Sequence, residues 1–583
     1  MRRFALAMVA GLALATLPAV TPAHAASCTT NPRFSGTFVQ PDLIDGWTGT
    51  QLANELGHLT DACVGDVVLQ WTADSKHHTA IYDTGLSGYT QSTATDVVDR
   101  LLSATESAGM GVWVGLQIND DWWQKYATDA TWLGNEAAAA ADLAEELYDW
   151  YGAYDSFDGW YLSFEVDDVH FTGATEQGRM IDFYQDVIAA LDTIAPGLPV
   201  ATAPFFNATS AEGQTPAQWQ STWTTLLASS PIDVIALQDG VGAGHAQTAD
   251  LATWFGAMAN AIAAARPATQ LYADTETFVI GASGFQPMPV ADIVAHMSAV
   301  SSYVDGYWSF AYDHYQSPQA PYSTAYHQTY LAYLNTGAVE TTAPSQPTGL
   351  AATANNAQKI TLSWTASTDN IGVAGYHVYR GGALVATRHG STGSFVDDQL
   401  DGSNTYSYTV RAFDGAGNLS TTSGTASATT PAMPSYPTNH AAGRTYTASV
   451  AADAAYPDSG GELTDGVHGA ALYGAAWQGR NAAGVYTFTI DLGSSKTINS
   501  INSSWLQVRD DYVFLPATIT YQVSSNGTSY TTAGTIVRPA VSSALQTKTY
   551  RLISLNLTAR YVRVQVDGGS AWSMVDEVEV RAT

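Results

Sequence analysis

The sequence predicts a (β/α)₈ barrel followed by two β-rich domains. Eight short apolar runs alternate with amphipathic segments between residues 26 and 338, and two breaks in composition follow them. The runs are continuously apolar, which is typical of parallel strands buried on both faces, and eight such units fit a barrel. A doubly wound open sheet is the alternative, which the lack of a glycine-rich phosphate loop after the first run disfavours.

Composition and charge restrict the class of protein. The 583 residues are 46% hydrophobic and include 16 Trp, 31 Tyr and 17 Phe, so the chain has ample apolar surface to bury. A chain of this length predicts several domains. Its formal charge of −31 repels phosphate backbones and anionic lipid. We therefore expect a globular monomer with neither a nucleic-acid nor a membrane partner.

The N-terminus has the features of a secretory signal over residues 1–25. Arg2 and Arg3 precede an apolar run over 5–20, and Ala23-His24-Ala25 fits a cleavage site. We expect a secreted protein. In an oxidising compartment the two cysteines, Cys28 and Cys63, favour one disulfide that joins the N-terminal segment to the end of the first helical stretch.

The barrel elements are predicted from the apolar periodicity of residues 26–338. The predicted strands cover residues 37–39, 67–69, 112–116, 160–162, 199–201, 234–237, 271–273 and 306–310. Amphipathic segments with apolar residues at helical spacing lie between the strands, for example at 96–108, 136–151, 176–194, 251–266 and 322–335. Each strand is thus followed by a helical segment, as the barrel requires.

Two Pro-rich linkers, 339–347 and 430–437, separate the middle domain, residues 343–430, from its neighbours. Its alternating runs predict strands at 360–364, 375–380 and 406–412. With the Pro347-Thr348-Gly349-Leu350 entry, Trp364 and Tyr406, this domain resembles fibronectin type III. The resemblance implies a β-sandwich spacer in which Trp364 is the core tryptophan and Tyr406 forms the tyrosine corner.

The last domain, residues 436–583, resembles a discoidin-like (coagulation factor 5/8 type C) jelly roll, the fold of many carbohydrate-binding modules. The matching motifs are Leu463-Thr464-Asp465-Gly466, Ile490-Asp491-Leu492-Gly493, Val523-Ser524-Ser525-Asn526-Gly527, Ala559-Arg560-Tyr561-Val562-Arg563-Val564 and Asp576-Glu577-Val578-Glu579-Val580. The resemblance implies sugar binding and a structural Ca²⁺, for which Asp465 and Glu577 are the candidate ligands. A salt-bridged turn is the alternative at these two residues.

The active site of a (β/α)₈ barrel forms at the C-terminal ends of the strands. Amide, carboxylate and aromatic residues follow the predicted strands there, whereas Arg and Lys are nearly absent. The predicted substrate-binding residues are Trp71, Gln117, Asn119, Asn207, Gln238, Asp274, Trp308 and Tyr312. Amides and carboxylates hydrogen-bond hydroxyl groups, and aromatic rings stack on sugar faces. The set therefore favours a polysaccharide or glycan as the partner over a phosphorylated ligand.

Two glutamates stand out: Glu165 follows strand four and Glu276 follows strand seven. Glycoside hydrolysis needs one carboxylic acid and one carboxylate at the same bond. The arrangement resembles the retaining glycosidase superfamily of TIM barrels, although Phe164 stands where that superfamily has Asn. The resemblance implies that Glu165 is the acid/base, that Glu276 is the nucleophile, and that no cofactor is needed for catalysis.

Two other functions are compatible with these residues. A non-catalytic carbohydrate-binding or adhesion protein could retain the barrel and the sugar-binding module without the chemistry. A metal-dependent hydrolase could use acidic residues and a histidine at the same rim, namely Asp167, Asp168, Asp313 and His314. The distance between the two glutamates and the response to chelators would distinguish these alternatives.

Overall fold

The chain folds into a barrel and two β-rich domains. The computed structural model describes residues 28–281, 284–481, 484–511, 513–539, 545–569 and 571–583. The predicted secretory signal, residues 1–25, lies outside the described residues.

Eight parallel strands close into a barrel in chain order, which confirms the predicted architecture of this part. We number them β1 to β8: Gly36–Val39, Asp66–Leu69, Gly111–Gly115, Phe157–Leu162, Val200–Thr202, Val234–Gln238, Gln270–Glu276 and Gly306–Phe310. The barrel closes where β1 pairs with β8, with Gly36 beside Trp308. All eight C-terminal strand ends therefore meet at one mouth.

Helices cover the outside of the barrel. Eight longer helices, α1 to α8, occur in the described part of it: Gly49–Asp61, Val97–Ala108, Ala130–Tyr151, Ala174–Ile194, Pro216–Ser229, Thr248–Ala265, Val290–Val300 and Ala325–Thr336. Short helices cover Pro41–Ile44, Trp122–Lys125 and Tyr312–Tyr315. The starts of α1 and α5 are fixed by capping boxes in which Thr48 pairs with Gln51 and Thr215 with Gln218.

Large side chains fill the barrel interior. Trp308 is 0% exposed and contacts the rings of Phe38, Trp113 and Tyr272 edge-on. A side chain at Gly36 would collide with it, because an added Cβ would lie 2.5 Å from Trp308 Cδ1. The interior around Trp308 is therefore a packed core.

Short strands extend the loops at the mouth. Ala73–Asp74, Thr79–Ala80, Thr90–Gln91 and Gln117–Ile118 form a small sheet after β2 and β3. Phe278–Gly281 and Gly284–Pro287 form a hairpin directly after β7.

The middle domain has two antiparallel sheets around one core. Its strands, β9 to β15, are Thr348–Asn356, Lys359–Thr365, Val373–Arg380, Ala383–His389, Ser394–Asp397, Thr405–Asp414 and Ala426–Thr429. One sheet has the order β9-β10-β13 and the other β12-β11-β14-β15. Trp364 packs on Tyr376 in the core. The domain rests against α8 of the barrel, where Phe413 packs on Ala325 and Tyr326.

The C-terminal domain consists of two five-stranded sheets. Its strands, β16 to β25, are Thr438–Asn439, Tyr446–Ala448, Gln478–Arg480, Val485–Ile498, Ser500–Val508, Thr518–Ser524, Thr531–Val537, Leu545–Leu552, Leu557–Asp567 and Ser573–Ala582, and Arg509–Asp511 is a 3₁₀ turn. One sheet has the order β16-β25-β20-β23, with β18 also on β25, and the other β17-β19-β24-β21-β22. Trp477 and Trp505 are buried in this domain.

A disulfide joins Cys28 to Cys63, two residues after the end of α1. It ties the start of the described chain to the first helix, as the sequence predicts. Among the described residues, no helix has both the length and the hydropathy needed to cross a bilayer.

Candidate active site

A cavity of about 180 Å³ opens at the C-terminal ends of the barrel strands. Both predicted catalytic glutamates, Glu165 and Glu276, line it. The remaining lining residues are Phe38, Gln70, Tyr161, Gln238, Asp274, Phe278 and Phe310. The cavity is smaller than the roughly 300 Å³ at which drug-sized pockets begin, so it suits a single sugar ring better than an extended ligand.

Glu165 lies three residues beyond β4 and is half-buried at the cavity. Burial raises the pKa of Glu165 to about 7, a side-chain hydrogen bond with Gln238 opposes the rise, and the charge of Asp167 adds to it. Gln238 also donates to the Ala203 carbonyl at 2.9 Å, which fixes its amide. A carboxyl group that holds its proton near neutral pH can serve as a general acid.

Glu276 ends β7 and is 5% exposed. Its Oε2 accepts a 2.7 Å hydrogen bond from the backbone N–H of Ala243, in the loop after β6. Burial and the Asp239 charge raise the pKa of Glu276, whereas the N–H groups of Ala243 and Gly242 lower it. These donors offset part of the rise, because hydrogen bonds from N–H groups are stronger to a carboxylate than to a neutral carboxyl group, and the pKa of Glu276 is raised to about 8.

Asp274 lines the same cavity as the two glutamates and interacts with both through charge. It precedes Glu276 by two residues on β7, and alternate residues of a strand face the same side. Burial, followed by the charges of Asp239, Glu276 and Glu165, raises the pKa of Asp274 well above its ordinary value. A neutral Asp274 reduces the repulsion in the cavity, so that one glutamate can ionise.

Asp239 directly follows β6, and its buried carboxylate accepts from the backbone N–H of Glu276 on β7. Its Oδ1 accepts from the backbone N–H of Val241, at 3.2 Å, and its Oδ2 lies 3.5 Å from His296 Nδ1 on α7. Both side chains are buried. This pair supports the loop that carries Gly242 and Ala243.

Aromatic rings surround the mouth as well as the cavity. Trp123, which is 49% exposed, faces Phe205 across 6.4 Å, and Phe205 stacks on His245 at 5.8 Å. These three rings come from the loops after β3, β5 and β6. They form a row at the mouth of the barrel, which we call the rim platform. Rings that reach the surface in a row are suited to stacking on successive sugar units.

Four of the predicted site residues line the cavity: Glu165, Gln238, Asp274 and Glu276. Gln117 and Asn119 instead use their amides on Glu136 of α3. Gln117 Nε2 donates to the Glu136 carbonyl at 2.8 Å, and Asn119 Nδ2 to Oε1 at 2.8 Å. These amides hold a loop in place and do not line the cavity.

The other predicted binding residues also lie elsewhere. Asn207 accepts from the Thr209 backbone and hydroxyl, which closes its own turn. Trp308 and Tyr312 are both 0% exposed. The Tyr312 hydroxyl lies 2.7 Å from His327 Nδ1, between barrel and helices. Trp71 is partly exposed but is absent from the cavity wall.

Several residues that line the cavity are not among the predicted site residues. Gln70 ends the run that precedes Trp71, and its Oε1 accepts from Gln40 at 3.0 Å. Phe38 and Tyr161 belong to apolar runs and look like core in the sequence. A period-two pattern within β1 and β4 was the signal that could have assigned them to the barrel interior. The backbone donors at Gly242 and Ala243 have no side-chain signature at all.

The acidic residues of the metal-hydrolase alternative serve as turn acceptors. Asp167 accepts from the backbone N–H of Val169 and His170, and Asp168 from that of Asn207. Asp313 pairs with its neighbour His314 at 3.2 Å. In the described ranges, these four residues do not form a group of ligand atoms close enough for one metal ion.

The predicted Ca²⁺ ligands, Asp465 and Glu577, interact through charge in the C-terminal domain. Glu577 Oε2 accepts from the Gly466 backbone at 3.0 Å, and Asp465 raises the pKa of Glu577 through its charge, after the larger effect of burial. The buried oxygens Glu577 Oε1 and Asp576 Oδ1 have no hydrogen-bond partner. Ca²⁺ binds carboxylate oxygens, and these two buried oxygens suit it, but among the described residues Asp465, Asp576 and Glu577 do not form a group of ligand atoms within 4.8 Å of one another.

Two family models match parts of the chain. Residues 34–322 match the model described as a domain of unknown function (DUF4434). Residues 446–578 match the F5/8 type C domain. The C-terminal domain is therefore an F5/8 type C domain, as its sequence motifs predict.

Curated relatives match only a short segment. Exoglucanase B of Cellulomonas fimi is 52% identical over 96 residues, which are 16% of this chain and 9% of that protein. Chitinase A1 of Niallia circulans is 48% identical over 98 residues, or 17% of this chain and 14% of that protein. The chain thus spans less than a fifth of the length of these relatives.

Solved structures align over longer stretches. A protein of Bacteroides thetaiotaomicron assigned provisionally as an alpha-L-fucosidase covers 56% of this chain and 99% of its own, with 21% identity and a TM-score of 0.45. An endo-beta-1,4-mannanase of Thermotoga petrophila covers 69% of this chain and 98% of its own, with 12% identity and a TM-score of 0.38.

Proposed function

We propose that the protein is a secreted glycoside hydrolase that cleaves a polysaccharide or glycan with retention of configuration. One observation carries the proposal: Glu165 and Glu276, from opposite sides of the barrel, line the same cavity together with amide and aromatic side chains. Retaining hydrolysis requires two carboxyl groups at one bond. Neither nucleic acid nor phosphate recognition would use this acidic site.

In this proposal Glu276 attacks the anomeric carbon and forms a covalent glycosyl ester. Glu165 protonates the departing oxygen, and its carboxylate then removes a proton from the water that hydrolyses the ester. The Ala243 N–H donor orients Glu276 Oε2 and favours its ionised form. Asp274 and Gln238 hydrogen-bond sugar hydroxyls or the glutamates themselves.

The accessory domains have separate proposed roles. The middle domain, residues 343–430, serves as a fibronectin type III spacer, and the F5/8 type C domain binds the substrate and holds Ca²⁺ through Asp465 and Glu577. The short matches to proteins named an exoglucanase and a chitinase agree with a polysaccharide-degrading role. The predicted signal segment accounts for secretion, and the protein would act as a monomer.

The test is a screen of the purified chain against a polysaccharide panel and a glycan array, with the first-formed product anomer identified by NMR. Glu165→Gln and Glu276→Gln should each lower kcat by at least about a thousandfold, because each removes a group that takes part in bond cleavage. Glu55→Gln is the matched control, since Glu55 is buried outside the cavity and bonds to Gln319 at 2.9 Å. Unchanged activity in either cavity variant would contradict the assigned role.

A non-catalytic carbohydrate-binding protein is the second candidate, and Phe164 favours it. This residue stands where the retaining superfamily has Asn, and it stacks on Trp122 with ring centroids 4.8 Å apart, outside the cavity. The site therefore lacks that amide. Retention of a bound glycan on the array, with no cleavage of any panel member by the wild type, would support this candidate.

A further inference from the structure

A second group of potential ligands lies on the outer wall of the barrel, away from the cavity. His58 and Asp61 are on α1, and His327 is on α8. One ligand atom from each residue lies within 4.8 Å of the other two. The group thus joins the first helix of the barrel to the last.

The fold brings these residues together for simple reasons. His58 and Asp61 are three residues apart on one helix, so their side chains share a face. β1 pairs with β8, and α1 and α8 follow these strands, so the two helices meet where the barrel closes. The rings of His58 and His327 lie 5.3 Å apart at 67°, which leaves their edges free to converge on one point.

His327 is held in an orientation suited to metal binding. It is 2% exposed, and its Nδ1 lies 2.7 Å from the buried hydroxyl of Tyr312. If Nδ1 carries the proton, Nε2 presents its lone pair to the group. Histidine ligands of metals almost always use their second nitrogen in such an outer hydrogen bond.

We propose that His58, Asp61 and His327 bind one divalent transition metal ion, with Zn²⁺ as the reference ion. Two imidazoles and one carboxylate suit Zn²⁺, whereas Ca²⁺ and Mg²⁺ prefer sets made of oxygens. Asp61 is exposed and His58 partly exposed, which gives the ion an entry path and leaves room for water as a fourth ligand.

The bound ion fastens α1 to α8. The Cys28–Cys63 disulfide lies two residues beyond Asp61, so a covalent and a metal link would secure the same end of α1. The role is structural, because the group lies outside the cavity that contains Glu165 and Glu276. A ligand that binds only the folded state raises its stability in proportion to the logarithm of its concentration.

The test uses the full chain without an affinity tag, stripped with a chelator and kept in excess Ca²⁺ so that oxygen-rich sites are filled. Zn²⁺ affinity is measured by competition with a chromophoric chelator, and Co²⁺ is added to record its d–d absorption. The wild type should bind Zn²⁺ and gain thermal stability as the Zn²⁺ concentration rises. Co²⁺ should show the intense absorption of a low-coordinate site.

Two mild variants remove ligands from the accessible side of the group. His58→Ala and Asp61→Asn should each weaken Zn²⁺ binding by more than about tenfold, the lower limit of what even an outer hydrogen-bond partner contributes. Each should also abolish the Zn²⁺-dependent rise in Tm. His77→Ala is the control, because His77 is an exposed histidine that pairs with Asp74 at 2.6 Å in another loop.

Two results would overturn the proposal: no Zn²⁺ binding by the wild type, or binding that neither variant weakens. Glu276→Gln should bind Zn²⁺ as the wild type does. Metal binding and glycan cleavage therefore succeed or fail independently.

Discussion

Gly242→Ala is a one-carbon change that tests the environment of Glu276. A Cβ at position 242 would lie 2.2 Å from the Phe278 carbonyl oxygen and 3.0 Å from Glu276 Oε2. Both distances are shorter than ordinary carbon–oxygen contacts, and the closer one involves backbone. The loop after β6 must therefore move away from β7, and it carries the Ala243 N–H that donates to Glu276.

The size of the effect follows from the lost hydrogen bond. A hydrogen bond to a charged group contributes about 1.5–3 kcal/mol. Its loss should lower kcat/KM by roughly 10- to 150-fold, since about 1.4 kcal/mol corresponds to a factor of ten. The same loss raises the pKa of Glu276 further, so the acid limb of the pH profile should move up by about one to two pH units.

The assay is kcat/KM against pH on the substrate that the polysaccharide panel identifies. Gly134→Ala serves as the matched control, because an added Cβ at that helical position has no neighbour within 4 Å. A Gly242→Ala enzyme with wild-type kcat/KM and an unshifted acid limb would refute the assigned role of the loop.

Three further predictions address other parts of the molecule. Because burial raises the pKa of Glu165 to about 7, the folded state binds the proton more tightly than the unfolded state, so stability falls as pH rises from about 4.5 to 7. Glu165→Gln should therefore melt as the wild type does near pH 4 and be more stable than the wild type by about 1–3 kcal/mol near pH 8. Equal stability of the two proteins at both pH values would contradict this. Replacing both cysteines with serine removes a link across 35 residues and should lower the free energy of unfolding by about 3–4 kcal/mol. Denaturant titration under non-reducing conditions measures this change, and an unchanged unfolding midpoint would argue against a stabilising disulfide. Trp123→Ala removes an exposed ring of the rim platform and should raise the KM for a polysaccharide by about threefold to tenfold. The KM for a single-sugar aryl glycoside should stay unchanged, and equal effects on both substrates would exclude a platform role.

The sequence predicts the barrel well because its strands are buried on both faces. The continuous runs 67–69 and 234–237 fall inside β2 and β6. Predicted strand seven, 271–273, is shorter than the observed strand Gln270–Glu276. The prediction follows apolar residues, and the last inward-facing residues of the observed strand are acidic. Those same acidic positions, Asp274 and Glu276, are what place charge in the cavity.

The site is only partly predictable, for physical reasons. An aromatic residue near a strand end can point into the packed interior, towards the mouth or towards the helices; Trp308 lies in the interior and Tyr312 between the barrel and its helices. Gln117 and Asn119 follow the end of β3, where the chain has already turned towards Glu136. Backbone donors such as Ala243 depend on loop conformation, which residue types do not specify.

The central claim is that Glu276 forms a covalent bond to the sugar while Glu165 transfers protons. The most direct measurement is peptide mass spectrometry after the enzyme has reacted with a 2-fluoro glycoside of the sugar that the panel identifies. A single glycosyl adduct on Glu276, formed slowly when Glu165 is replaced by Gln, is the predicted result. An adduct on another residue, or an inverted product anomer with no adduct, would contradict the account.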